Sequence, residues 1–165
     1  PVEATHLKQR KEYYETGDGD VFWEGELRLR QIFDSFAGDD NSEYILRHAD
    51  FDSICRTRRE NYAALLDALT APLHGVQPVF PELPEATVPS HFCLYAENRD
   101  EFQQYLADHQ IRSTVYWPVG PLVHPLPDSS EQYIYDHIVS VPCDQRFTPS
   151  DMQYVAQVLM DYSGN

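Results

Sequence analysis

The stretch Ile138–Met152, which reads IVSVPCDQRFTPSDM, decides how the rest of the chain is interpreted. Three of its first four residues are apolar and β-branched, a composition that favours a buried strand. Pro142 ends that strand, because proline has no main-chain N–H to donate to a ladder. A helix is predicted after a short polar turn, with Thr148 as N-cap, Pro149 at the first position and Asp151 completing a capping box. The stretch therefore predicts a strand that leaves the core, turns and returns as a helix.

The composition predicts a folded, acidic protein. Of the 165 residues, 42% are apolar and 13% are aromatic, which is enough for one domain with a hydrophobic core. The formal net charge is -15. Such a charge repels phosphate backbones and anionic lipid surfaces, so we expect no nucleic-acid partner and no membrane partner. No apolar run approaches the length needed to span a bilayer.

The cysteines and the first residue carry two further expectations. Cys55, Cys93 and Cys143 are odd in number and far apart, which argues against a disulfide framework and for a reducing cytoplasm. The chain starts at Pro1 without a methionine, which suggests a fragment or an excised domain. A processed complete protein is the competing explanation.

Helical periodicity recurs along the chain. Apolar residues lie at helical spacing in Phe22–Phe36 and in the longest predicted helix, Phe51–Leu69. Asp50 or Asp52 is positioned to cap the longer one. Shorter helices are predicted after Asn98 or Asp100, around Ser130–Asp136 and from Thr148 onward.

The predicted strands are few. They are a segment with Phe92, Leu94 and Tyr95, the run Ile111–Trp117, and the strand of the opening stretch. Recurrent prolines between Gln77 and Pro89 exclude a helix there and favour an extended connection or an edge strand. We therefore predict an α+β fold: a small antiparallel or mixed sheet of three to four strands with helices packed on one face. Residues 1–49 are predicted to be a leading helical connector, and residues 50–165 to be the α+β domain.

Most motifs of catalysis are missing from the sequence. It contains no glycine-rich phosphate loop and no GxSxG elbow. The seven histidines lack metal-ligand spacing and the carboxylates are scattered, so we predict no metal site and no catalytic residue. Lys8 and Lys11 are the only lysines and lie in a polar segment, where nothing would desolvate them for amine chemistry. Arg56, Arg58 and Arg59 are interpreted as a solvated helix face, with an anion site as the alternative.

One polar and aromatic group lies where ligands often bind. Tyr116 and Trp117 end a predicted strand, and His124 lies in the loop that follows. Strand ends and the loops after them are common ligand sites. The alternative interpretation is that the two aromatic residues are edge packing and that His124 is an ordinary surface residue.

Four collinear stretches resemble the C-terminal small domain of DegT/DnrJ/StrS-type aminotransferases. They are RTRRENYAALLDAL (Arg56–Leu69), VPSHFCLYAENRDEFQQYL (Val88–Leu106), IRSTVYWP (Ile111–Pro118) and SVPCDQRFTPSDMQYV (Ser140–Val155). The leading LKQRKEYYETGDG is similar to the segment that those enzymes place after their large domain. The resemblance implies the small C-terminal domain of the aspartate-aminotransferase fold.

The resemblance also implies a parent activity. Family members use pyridoxal phosphate to transfer an amino group, many of them to keto-sugar nucleotides in nucleotide-sugar biosynthesis, and they are homodimers. The expected partners are therefore a small-molecule substrate, a second subunit, and a large cofactor domain that these stretches do not match. That domain carries the lysine that holds the cofactor, so the fragment alone is expected to bind no cofactor and to be inactive. By resemblance, Tyr116, Trp117 and His124 are candidates for lining the substrate side of the active site.

A second hypothesis belongs to another class. The chain is alternatively a free-standing α+β binding or regulatory module with no catalytic role, because small α+β layers support many functions.

Overall fold

The computed structural model describes residues 39–116 and 126–163, together with Glu24, Glu26, Leu27, Arg30 and Gln31. The chain divides into two units, Pro1–Ala49 and Asp50–Asn165. In the first unit, the five separate residues named above are helical. The remainder of the predicted helix Phe22–Phe36 lies outside the described residues.

Helix α1, Asp40–His48, ends the first unit and begins at a capped N-terminus. The carboxylate of Asp39 accepts hydrogen bonds from the main-chain N–H groups of Asn41 and Ser42, both at 3.0 Å. The Ser42 hydroxyl also donates to this carboxylate and, with these N–H groups, lowers the pKa of Asp39. None of the side chains of α1 is buried.

Four helices and three strands make up the described part of the second unit. In chain order they are α2 (Phe51–Ala68), β1 (Val76–Pro78), β2 (His91–Ala96), α3 (Arg99–Asp108), α4 (Ser130–His137), β3 (Ile138–Pro142) and α5 (Pro149–Asp161). The strands form one sheet in the order β1-β2-β3, and both pairings are antiparallel. The predicted α+β class with a small antiparallel sheet is confirmed.

One face of the sheet carries the hydrophobic core. The registers bring together three pairs of buried residues: Val76 with Ala96, Phe92 with Val141, and Leu94 with Val139. Helices α2, α3 and α5 complete the core with Leu65, Phe102 and Leu159, all of them fully buried. Buried and half-buried side chains alternate along β2, because successive side chains of a strand point to opposite faces of the sheet.

The stretch Ile138–Met152 folds as predicted. Strand β3 ends at Pro142, and the side chain of Thr148 caps α5. The hydroxyl of Thr148 accepts from the N–H of Asp151, whose carboxylate accepts in return from the N–H of Thr148. Pro149 takes the first helical position, so the capping box is formed in full.

The two predicted helix starts that were left open are also settled. Asp50 caps α2, because its carboxylate accepts from the N–H of Ser53 at 2.9 Å. Asn98 is the N-cap residue of α3.

Among the described residues, no helix is both long enough and apolar enough to cross a membrane.

The predicted strand Ile111–Trp117 is wrong over its described part. Only Thr114 pairs there, in an antiparallel bridge to Ser140 on the outer edge of β3. Continuing this ladder would place Arg112 opposite Pro142, which has no N–H to donate. In the other direction Tyr116 would lie opposite Ile138, whose N–H already donates to the carbonyl of Ile134. The ladder therefore stops after one pair, although the side chains of the run have high β-propensity.

The way in which α3 ends explains why Gln110, which is not a glycine, has a positive φ. Gln110 follows α3 with φ 61°, a conformation usually taken by glycine. The N–H of Ile111 donates to the carbonyl of Leu106, and the N–H of Gln110 donates to that of Ala107. These two bonds are a Schellman motif, and the buried side chains of Leu106 and Ile111 supply its apolar contact.

Candidate functional site

The outer face of the sheet, opposite the core, carries polar and reactive side chains. His91, Cys93 and Tyr95 alternate on β2 with the core residues and are half-buried. The register pairs Cys93 with Ser140 of β3, and their side chains lie 3.6 Å apart, sulfur to oxygen. Helix α4 covers part of this face, where the ring of Tyr133 meets that of Tyr95 edge-on at 5.2 Å.

His91 is held by hydrogen bonds at both ring nitrogens. Its Nδ1 lies 2.9 Å from the hydroxyl of Ser90, and its Nε2 lies 3.0 Å from the hydroxyl of Tyr116. A phenol is a better donor than an aliphatic alcohol, so we assign the Tyr116 hydroxyl as donor to Nε2 and Nδ1–H as donor to Ser90. The rings of His91 and Tyr116 also meet edge-on at 5.0 Å. We refer to Ser90, His91 and Tyr116 as the imidazole chain.

The surroundings of His91 favour its neutral form. Burial is the main cause that lowers the pKa of His91. The carboxylate of Asp144 acts in the opposite direction, whereas the guanidinium groups of Arg146 and Arg58 lower this pKa further. A neutral imidazole that accepts from this half-exposed phenol fixes the orientation of the Tyr116 hydroxyl, whose oxygen can then accept a hydrogen bond from a ligand hydroxyl.

The turn between β3 and α5 lies beside this chain. The N–H of Cys143 donates to the carbonyl of Ser90 at 3.0 Å, which joins the turn to the start of β2. In the turn, the nearly buried carboxylate of Asp144 accepts two bonds from the guanidinium of Arg146, at 2.9 and 2.6 Å. These bonds are the main reason why the pKa of Asp144 is lowered.

The turn is anchored from α2. The side chain of Asn61 is fully buried, and its Nδ2 lies within hydrogen-bond distance of the carbonyls of Cys143, Asp144 and Phe147. Nearby, Nε of Arg58 donates to the side chain of Gln145 at 2.7 Å. Helix α2 therefore fixes the position of a turn that follows Asn61 by more than eighty residues.

Two arginines of α2, Arg58 and Arg59, make hydrogen bonds to distant parts of the chain. The guanidinium of Arg59 donates to the carbonyls of Pro84 and Thr87, at 3.0 and 2.5 Å. It thereby holds the proline-rich connection against the helix. The interpretation of Arg58 and Arg59 as a purely solvated face is therefore too simple, because each makes a long-range contact.

The fold of the chain has a counterpart among solved structures. It matches the crystal structure of a DegT DnrJ EryC1 StrS aminotransferase from Brucella abortus with a TM-score of 0.51. That protein is an aminotransferase. The two chains are 18% identical, and the match covers 68% of this chain and 32% of that chain. At this identity the likeness shows a shared fold, and this chain spans about a third of the length of its counterpart.

The sequence comparisons add no further relation. No protein-family model matches the chain, and no curated protein matches it.

The structure brings one of the three predicted site residues into the site. Tyr116 is half-exposed and belongs to the imidazole chain. Trp117 and His124 lie outside the described residues. The sequence reasoning missed His91, although one signal was present. On a strand whose core face is Phe92 and Leu94, alternation already places His91 on the other face.

The described residues do not fit covalent binding of pyridoxal phosphate. Residues 39–116 and 126–163 contain no lysine, the residue type that holds this cofactor in its enzymes. Nor do these residues place three His, Cys, Asp or Glu side chains where they could hold a metal ion. Burial raises the pKa of the Cys143 thiol to about 12, so this group stays protonated and is not a nucleophile at neutral pH.

Proposed function

We propose that this chain is the C-terminal small domain of a pyridoxal-phosphate-dependent aminotransferase that acts on a keto-sugar nucleotide. The observation that carries the proposal is the fold match, which extends over 68% of the chain to a DegT DnrJ EryC1 StrS aminotransferase. The collinear stretches from Arg56 to Val155 support it independently of the fold. The cofactor would be held by a domain outside the described residues, which contain no lysine.

In this proposal the imidazole chain forms part of the substrate wall. Tyr116 is half-exposed and its hydroxyl is fixed by donating to His91, so the phenol oxygen can accept a hydrogen bond from a hydroxyl of the substrate without further ordering. Trp117 and His124 are proposed as further wall residues, on the resemblance alone. No catalytic residue is assigned to this chain, because the protein contributes orientation and contacts while the cofactor performs the bond chemistry. We further propose a homodimeric, cytoplasmic parent enzyme.

The test uses the protein encoded by the complete reading frame that contains these residues. We expect this protein to bind pyridoxal phosphate stoichiometrically, seen as visible absorbance. We also expect it to form 2-oxoglutarate from glutamate when a nucleotide-linked keto-sugar is supplied. The 165-residue chain alone is expected to show neither property.

A pair of variants connects the activity to the proposed wall. Tyr116→Phe is expected to raise KM for the keto-sugar severalfold, because the fixed hydroxyl is lost. Tyr44→Phe is the matched control, since Tyr44 is an exposed tyrosine of α1 whose ring stacks on His48. A complete protein that binds no pyridoxal phosphate would overturn the proposal and favour the free-standing binding module.

A further inference from the structure

A cleft of about 310 Å³ lies between the end of α3 and the first turns of α5. Its accessible apolar walls include Pro142, Phe147 and Tyr154, whereas Val141, Met152 and Val155 also line it but are almost fully buried in the core. Neither His91 nor Tyr116 lines it, so it is separate from the candidate site on the outer face of the sheet. Its volume falls within the range of sites for small molecules.

The cleft has a structural cause in the sequence. Thr114 is the last residue of its segment to pair with β3, because Pro142 offers no N–H to the next position, Arg112. The segment 110–112 is also turned by the positive φ of Gln110 at the end of α3. The space between this segment and β3 is therefore left open, with Pro142, Gln110 and Arg112 among its lining residues.

One cation at this cleft has no partner in the described part of the chain. Arg112 is exposed, and neither its guanidinium nor its main-chain N–H makes a hydrogen bond or an ion pair there. This distinguishes it from Arg58, Arg59 and Arg146, whose guanidinium groups each have recorded partners. A guanidinium beside apolar walls is suited to bind a carboxylate through two parallel hydrogen bonds.

A carboxylate of the protein limits the charge of the ligand. Asp151 also lines the cleft, and its bonds to Thr148 lower the pKa of Asp151, so it is ionised at neutral pH. A dianion such as a phosphate monoester would meet this like charge, whereas a monoanion bound at Arg112 meets less repulsion. The more distant acidic residues are screened at physiological ionic strength, where the Debye length is about 8 Å.

We propose that this cleft binds a small monocarboxylate with an apolar body, with the carboxylate on Arg112 and the body against Pro142, Phe147 and Tyr154. The observations behind it are the cleft, its apolar walls and the unpartnered guanidinium at its edge. The proposal does not depend on aminotransferase activity, and it can hold or fail separately from the proposed function.

The test titrates the full chain with 3-phenylpropionate and follows the main-chain amide signals by NMR. We expect saturable shifts at Arg112, Phe147 and Tyr154. Arg112→Gln is expected to weaken binding about tenfold, or ~1.4 kcal/mol, because the charged donors are lost. Arg112→Lys should keep part of the affinity, since it retains the charge without the planar fork. Arg56→Gln is the matched control, because Arg56 is an exposed arginine of α2 that does not line the cleft.

Two ligand controls complete the test. The neutral analogue 3-phenylpropionamide should bind at least about fivefold more weakly, because it lacks the charge that Arg112 recognises. Phenyl phosphate should also bind more weakly than the carboxylate. Equal affinity for the amide, tighter binding of the phosphate, or an Arg112→Gln variant that binds as well as the unmodified chain would overturn the proposal.

Discussion

The environment of His91 decides what its imidazole can do. Both ring nitrogens are engaged, by Ser90 and by Tyr116, and burial keeps the ring neutral. The phenol of Tyr116 is accordingly held in one orientation while half of its surface faces solvent. In the sequence, His91 is only a polar residue of a strand. In the structure, its Nε2 is a hydrogen-bond acceptor that is fixed at a surface site.

The first prediction concerns the titration of this ring. Tyr116→Phe should raise the pKa of His91, because the lost hydroxyl donates to the neutral form of the ring. The measurement is an NMR titration of the imidazole nitrogens, and Tyr44→Phe should leave the pKa of His91 unchanged. A His91 pKa that stays the same or falls in Tyr116→Phe would contradict the assigned direction of this hydrogen bond.

The same shift has a consequence for stability. The pKa of His91 is lowered from 6.5 in the folded chain, so the unfolded chain binds the proton more readily. The contribution of His91 to stability is therefore fully present above pH 6.5, and it is lost as the pH falls through the folded-state pKa. In Tyr116→Phe this part of the acid dependence should become smaller.

At the scale of elements, one buried amide holds the central turn. Asn61 of α2 donates to main-chain carbonyls on both sides of the turn that joins β3 to α5. Its own Oδ1 is buried and has no hydrogen-bond partner among the residues that the structure describes. The amide orientation is thus dictated by the carbonyls: that of Asp144 also accepts from the N–H of Phe147, whereas those of Cys143 and Phe147 depend on Asn61 as their donor.

The second prediction follows from this contact. Asn61→Ala should lower the free energy of unfolding by about 2–3 kcal/mol, because buried carbonyls lose their donor and a void is left. Urea unfolding followed by circular dichroism measures the change. Gln104→Ala is the control, since Gln104 is exposed on α3 and bonds only to Asp108 one turn away; its effect should stay within about 0.5 kcal/mol. A similarly small effect of Asn61→Ala would show that the turn does not need this anchor.

At the scale of the whole molecule, the described hydrophobic core lies entirely within the second unit. Its buried members extend from Tyr62 to Tyr162 and come from the sheet and from α2, α3 and α5. Helix α1 of the first unit contributes no buried residue. Every residue of the described core therefore lies within residues 50–165.

The third prediction is that residues 50–165 fold on their own. The expressed segment should give a dispersed NMR spectrum and a cooperative thermal transition, because it contains every residue of the described core. Residues 50–148 are the matched control. They lack α5 with Met152, Val155 and Leu159, and they should remain unfolded. An unfolded 50–165 segment would show that the first unit is needed for folding.

The sequence by itself determined the elements whose signals are local. Strand β3, the stop at Pro142 and the capping box of α5 all depend on residues within a few positions of one another. The α+β class followed from the order of such elements. The sequence also limited the helix caps to Asp50 or Asp52 and to Asn98 or Asp100, and the structure selected the first residue of each pair.

Only the tertiary structure decided which distant residues meet. The predicted strand at Ile111–Trp117 has side chains of high β-propensity. A strand also needs a neighbour whose main-chain N–H groups can donate, and Pro142 has no N–H to offer at the position opposite Arg112. The meeting of His91 with Tyr116, and of Asn61 with the turn at Cys143, likewise depends on the register of β2 and β3 and on the packing of α2. A hydrogen bond between residues far apart in sequence leaves no local sequence pattern, because the fold of the intervening chain brings the two groups together.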